Sequence, residues 1–236
     1  MCRPLLIFIH GSWLGGWCWR PMRAELSRRG IAAEAPTLTA LGNRGHLGGV
    51  QTGVHAHVAD ILEHLRFVDS VEVVLVGHSY GAVVAAEAAA IRPDIVKAII
   101  VLDGFILGAD RSIFDQHPEL QDALQGLIHP ERPGFIQPPG ADFLGLPACD
   151  DTDRLIARLR PMPLLCHTER CLTDENSLEC ARYYVQFTDF PFFGATAAKA
   201  RGAHWQVSGI AAGHMAIDTA PQLVADRIAE ILQELV

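Results

Sequence analysis

The stretch "VLVGHSYGAV", Val74–Val83, runs an apolar segment straight into Gly77-His78-Ser79-Tyr80-Gly81 and then into an alanine-rich stretch. A strand that turns directly into a helix brings backbone atoms close together, so the residues on either side of the tip must be small. Gly77 and Gly81 meet that need and leave the Ser79 hydroxyl exposed above the strand end. The N–H of Tyr80 then faces the reacting atom from the helix N-terminus, where the helix dipole helps it hold an oxyanion. Ser79 is the candidate nucleophile.

A serine hydroxyl needs a base to take its proton. Of eleven histidines, His55, His57 and His64 fall on one helical pattern, and His117 and His129 fall in an irregular stretch. His214, in "GIAAGHMAIDTAP", stands in a loop after the last strand pattern and before the last helix, where the base of a Ser…acid…His order belongs. A second oxyanion donor should follow the first strand. "FIHGSWLGGWCW" supplies it in the N–H of Ser12, with Gly11 letting the backbone approach and His10 in a structural role. His78, beside the nucleophile, should leave the turn on another side and pack near the pocket.

The chain around these residues alternates short apolar runs with longer helical patterns, which predicts an α/β fold with a parallel sheet. Pro4–Ile9, Ile31–Pro36, Val71–Val76, Val96–Leu102 and Tyr183–Phe187 read as strands, with His204–Ile210 a weaker sixth. Trp17–Arg29, Val54–Phe67, Gly81–Ile91 and Pro221–Leu235 read as helices. The 236 residues fit one domain, 1–236. From Gly104 to about Thr173 the rhythm breaks into Pro- and Gly-rich sequence with short helical patterns near Pro118–Leu127 and Asp151–Leu159. An insertion of that length predicts a small cap over the site.

Composition narrows the partners. A net charge of -8 and half of the residues apolar argue against nucleic acid or an anionic membrane surface. No run reaches the ~18 apolar residues of a membrane span, and the N-terminus lacks a signal-peptide pattern. Six cysteines without a C-x-x-C pair give no zinc or redox motif and suit free thiols in a reducing compartment. The expectation is a cytoplasmic protein with no cofactor, no metal and a small-molecule substrate; a homodimer is left open.

"HGSWLGGWCW", "APTLTALGNRGHL", "VLVGHSYGAVV", "VLDGF" and "AAGHMAI" together resemble the α/β-hydrolase superfamily, in its branch of plant methylesterases, hydroxynitrile lyases and related bacterial esterases. The resemblance implies a mostly parallel six-stranded sheet with helices on both faces and a cap. It also implies Ser79 and His214 as nucleophile and base, with the N–H groups of Ser12 and Tyr80 as the oxyanion hole. The chain departs from the pattern at the acid. Plant members carry aspartate two or three residues past the threonine that ends the penultimate strand, whereas "YYVQFTDFPFF" puts Phe190 and Pro191 there and Asp189 one step early. The rival is Asp103 in "VLDGF", and it is the expected acid.

Hydroxynitrile lyases of this branch carry threonine in the place of Gly11 and lysine in the place of Met215. Their absence predicts a serine esterase acting through an acyl-enzyme rather than a C–C lyase or a non-catalytic receptor. Gly11, Trp13, His78, Phe105, Phe143, Leu164 and Leu165 are the expected pocket residues, suited to a small apolar or aromatic ester.

Overall fold

The computed structural model describes residues 4–70, 72–129, 131–174 and 177–235; Cys2 and Val71, the first residue of one predicted strand, lie outside them. The alternation of apolar runs and helical patterns becomes β1 (Leu5–Ile9), α1 (Arg20–Arg28), β2 (Ala33–Glu34), α2 (Val54–Leu65), β3 (Val73–His78), α3 (Gly81–Ile91) and β4 (Val96–Leu102). After an irregular stretch the chain resumes with β7 (Ala181–Phe187), α8 (Gly194–Gly202), β8 (Gln206–Ile210), α9 (Ala216–Thr219) and α10 (Pro221–Glu234). Between β4 and β7 come α4 (Ile113–Gln116), α5 (Pro118–Leu124), β5 (Phe135–Ile136), α6 (Asp150–Ile156), β6 (Met162–Pro163) and α7 (Leu165–Thr168).

The main sheet has the order β2-β1-β3-β4-β7-β8, and every neighbouring pair is parallel. Parallel strands covered on both faces need no polar alternation, which is why β3 could be a continuous Val/Leu run with every residue buried. The chain steps from β1 out to β2, then crosses back over β1 to β3. Right-handed crossovers therefore put α1 and α2 on opposite faces. α10 packs beside α1, and α3 beside α2.

The predicted strand Ile31–Pro36 pairs only over Ala33–Glu34 and the one predicted from His204 begins at Gln206; two further boundaries differ for local reasons. The predicted helix from Trp17 begins as a 3-10 turn, Gly16–Trp19, and becomes α-helical at Arg20 with Pro21 in its first turn, where a missing N–H costs nothing. β3 runs on to Gly77 and His78, because the ladder to β4 continues as far as the His78–Leu102 pair. α8 was not anticipated: its "GATAAKARG" buries only Thr196, Ala197 and Ala200, too small a set to give an apolar period.

The order of strands reverses direction between β1 and β3, so the loops that leave their C-terminal ends diverge and open a crevice. The loop after β1, the turn after β3, Asp103 after β4 and the loop after β8 all converge on this rim. Described residues between 104 and 173, among them Phe143 and His167, line the same cavity as Ser79 and His214. Their hairpin of β5 and β6 is tied to the rim by Trp13, whose indole N–H donates to the Ile136 carbonyl at 3.3 Å.

Candidate active site

The turn after β3 has the tight geometry that its glycines suggested. A Cβ on Gly77 would lie 2.5 Å from the Ala82 Cα, and one on Gly81 would lie 2.3 Å from the Ile9 carbonyl oxygen. Neither position admits a side chain. Ser79 sits at the tip with φ 53°, and Trp13 and Asp103 also have positive φ, at 62° and 45°. Left-handed backbone at non-glycine residues costs roughly 1–3 kcal/mol each and gathers where surrounding structure holds it for a purpose. Half of the six such residues described stand on this rim.

His214 reaches the rim from the loop between β8 and α9. Its Nδ1 lies 2.7 Å from Oδ2 of Asp103, which is completely buried, and Oδ1 of Asp103 accepts from the Phe187 N–H at 3.1 Å. When Asp103 is ionised its carboxylate can only accept, so Nδ1 then carries the proton and Nε2 is left with a lone pair. Burial is the main influence on both partners. It raises the Asp103 carboxyl, opposed by the Phe187 N–H, and lowers the His214 imidazole. An uncharged imidazole at neutral pH is the form able to take a proton. Asp189 is exposed, with its N–H bound to the Ala212 carbonyl at 3.1 Å, and makes no contact with His214 among the described residues.

Phe190 stands where the family pattern would place the acid. Its ring stacks on His214 at 4.6 Å, and Phe193 lies parallel to the same imidazole at 5.4 Å. The two rings pack on the faces of the imidazole, while its Nδ1 edge is taken by Asp103. Behind the imidazole, His78 donates from Nε2 to the His214 carbonyl at 2.9 Å, holding the loop rather than entering the chemistry. His10 is likewise structural: Nδ1 donates to the Gly11 carbonyl at 2.9 Å and Nε2 accepts from the Leu38 N–H at 3.1 Å. His57 donates from Nε2 to the Thr39 carbonyl and accepts the Tyr80 hydroxyl at 2.7 Å on Nδ1. It thereby anchors the residue that follows Ser79.

Ser12, Ser79 and His214 line one cavity of about 270 Å³ together with Trp13, Phe105, Phe143, Phe192 and His167. No direct Ser79–His214 hydrogen bond is formed in this structure; such contacts are often long before substrate binds. A small annex beneath adds Gly11, His78 and Met215. Neither Ser12 nor Tyr80 has an acceptor for its backbone N–H among the described residues. Glu119 is the one Asp, Glu, Lys or Arg among the described lining residues.

The structure thus gathers Gly11, Ser12, Trp13, His78, Ser79, Phe105, Phe143 and His214 around one space. Leu164 and Leu165 are elsewhere. Leu164 lines a separate hollow with Phe114 and Ile136, and Leu165 packs on Gly53. Both belong to the start of α7, whose short turn directs His167 and not the two leucines toward the cavity. The sequence reading missed His167 and the Phe190–Phe193 cluster. The second had a visible signal: residues that occupy the place of the acid must still face the imidazole.

The chain belongs to the alpha/beta hydrolase family, which matches residues 6–227. It is similar to the carbendazim hydrolyzing esterase of Nocardioides sp. (strain SG-4G), 30% identical over 157 residues, covering 66% of this chain and 59% of that protein. It is also similar to methylesterase 7 of Arabidopsis thaliana, 35% identical over 103 residues, covering 42% of this chain and 39% of that protein. The aligned stretches thus span less than two thirds of either relative. Among solved structures, an extracellular alpha/beta-hydrolase from a Paenibacillus species, described as sharing homology with tobacco salicylic acid binding protein 2, superposes with a TM-score of 0.86. That superposition has 21% identity over 96% of this chain and 98% of that one. Tomato methylketone synthase I superposes at 0.85 with 17% identity over the whole of both chains. At these identities the structural likeness speaks for the fold. Among the described residues no helix is long and apolar enough to cross a membrane, and Cys18, Cys149, Cys166 and Cys180 carry free thiols.

Proposed function

We propose that this protein hydrolyses carboxylic esters of small, neutral, largely apolar or aromatic molecules through an acyl-enzyme on Ser79. His214 takes the Ser79 proton as the hydroxyl attacks the ester carbon, and the oxyanion is held by the N–H groups of Ser12 and Tyr80. The protonated imidazole returns its proton to the leaving alcohol. Water then enters by the same base and releases the acid. Asp103 fixes the tautomer that leaves Nε2 free and stabilises the imidazolium. The 2.7 Å contact between His214 Nδ1 and the buried Asp103 carboxylate carries the reading. The cavity holds a second serine–histidine couple, Ser12 and His167, but the Nδ1 of His167 has no partner. Without an acid, an imidazolium there would be unsupported.

The relatives named as esterases support the same class of reaction, and the cavity supports the substrate class. Its walls are mostly aromatic and aliphatic, and no cation lines it among the described residues. A carboxylate-bearing substrate would meet only Glu119. A cyanohydrin lyase would need a cation for the departing cyanide, and the residue after His214 is the buried Met215. The test is a panel of aryl and methyl esters run beside mandelonitrile, with Ser79→Ala as the control. Ester turnover that vanishes in Ser79→Ala, with negligible cyanide release, is expected. Cyanide release at the rate of ester hydrolysis would reverse the assignment.

A further inference from the structure

The ester reading uses Ser12 for its backbone N–H and leaves its hydroxyl without a task. That hydroxyl lies 3.4 Å from Nε2 of His167, on α7 and 155 positions along the chain. His167 is buried, walled by Phe114 at 5.2 Å and by Trp13 and Tyr80 at 6.1 Å each. Burial pushes it down to about 3, so the ring is neutral and carries a single N–H. Its Nδ1 has no hydrogen-bond partner. A proton there would be a buried donor with nothing to bond, the rarer and costlier kind of orphan. A proton on Nε2 donates to Ser12 Oγ and leaves only a lone pair bare. The second tautomer is the one this packing favours.

With its oxygen accepting from His167, the Ser12 hydroxyl has its own proton to give. No other described residue bonds to Ser12 Oγ, and Ser12 lines both the cavity and the annex beside Ser79 and His214. The loop is close to the nucleophile as well, since a Cβ on the neighbouring Gly11 would lie 3.0 Å from that of Ser79. We propose that the Ser12 hydroxyl, held by His167, donates a third hydrogen bond to the ester carbonyl oxygen as it becomes an oxyanion. His167 is the positioning residue that keeps this donor aimed. The proposal rests on the ester reading. A donor directed at charge that develops only in the transition state raises kcat and leaves KM alone.

The test measures kcat and KM for an aryl ester, and affinity for a trifluoromethyl ketone whose adduct on Ser79 carries the oxyanion, in Ser12→Ala, His167→Leu, His167→Gln and the Ser12→Ala/His167→Leu double variant. Ser12→Ala should lower kcat by roughly tenfold to a hundredfold, less than the ~10²–10³ of a main oxyanion donor. KM should hold, and ketone affinity should fall in parallel. His167→Leu should match it, and His167→Gln, which keeps an N–H donor at similar reach, should recover most of the rate. The double variant should be no slower than Ser12→Ala alone, because the pair acts as one unit. If His167→Leu does not fold, as read by circular dichroism, Ser12→Ala and His167→Gln decide between them. No ester turnover by the parent would overturn the ester reading and the proposal together. Turnover undiminished in Ser12→Ala, or additive losses in the double variant, would overturn the proposal alone.

Discussion

The sheet rim and residues 104–173 face each other across the cavity, and they are built differently. The rim residues Ser79, Asp103 and His214 leave the ends of parallel strands whose ladders fix their backbone, and all three are at least nine-tenths buried, at 9%, 0% and 6% exposure. The opposite wall is made of helices of four to seven residues and a hairpin of two-residue strands. It is held by a few ties, such as the Glu87 carboxylate accepting from the Thr173 N–H at 2.7 Å. Phe143 on that wall is 37% exposed. A rigid rim can keep reacting groups aligned to a fraction of an ångström, whereas the exposed lining of the wall, as at Phe143, can change its shape without disturbing them. The buried His167 is the part of that wall tied to the rim, through Ser12. Chemistry and selectivity should therefore separate on mutation of the rim and of the exposed lining.

The largest separation should come at Asp103. Asp103→Asn should lower kcat by roughly a hundredfold to ten-thousandfold, because a neutral amide favours the wrong imidazole tautomer. Asp189→Asn should change it by less than about twofold, as for other exposed positions away from the chemistry. Steady-state kinetics on one ester would check both. Comparable losses in the two variants would mean that the rim is less fixed than its ladders imply.

A smaller effect of the opposite kind is expected at Phe143→Ala on the insertion. Losing part of an apolar wall should raise KM by about tenfold for aromatic esters and leave kcat within about twofold. A fall in kcat as large as that of Asp103→Asn would erase the distinction between the two regions.

The mildest test uses pH. Burial lowers His10 and His167 to about 3 and His57 to about 4, and lowers His78 and His214 as well. Unfolding lets each bind a proton below its ordinary 6.5. The stability they contribute is complete above that value and is lost progressively as pH falls toward 4 and 3. Four of the five belong to the rim and its supports, so urea unfolding between pH 7 and pH 5 should show the midpoint falling. A midpoint unchanged over that range would mean that these rings are charged in the folded state. The same lowering of His214 places the acid limb of kcat/KM below pH 6.5, since only the neutral ring is a base.

The same division governs how much could be read from the residues alone. The strands were legible because a two-sided sheet demands unbroken Val, Ile and Leu, and the turn that carries Ser79 was legible because its tightness demands Gly77 and Gly81. Asp103 could be named only as one of two candidates, since a lone aspartate after a strand looks the same whether it caps a loop or faces an imidazole. The insertion was legible as an interruption, with α5 and α6 near their expected places. Which of its residues face the cavity was not. Leu164 and His167 are three positions apart on one short turn, and only the packing of that turn against Phe114 and Tyr80 decides between them.

Two serines and two histidines share the cavity, so the measurement that separates them most directly is the site of a covalent adduct. The protein would be treated with a serine-directed phosphonate and its peptides weighed by mass spectrometry. We expect one adduct per chain, on the peptide that contains Ser79, forming rapidly in the parent and far more slowly in His214→Ala. An adduct on Ser12, or full ester turnover by a protein that carries no adduct at Ser79, would contradict the assignment of Ser79, His214 and Asp103 as the reacting set.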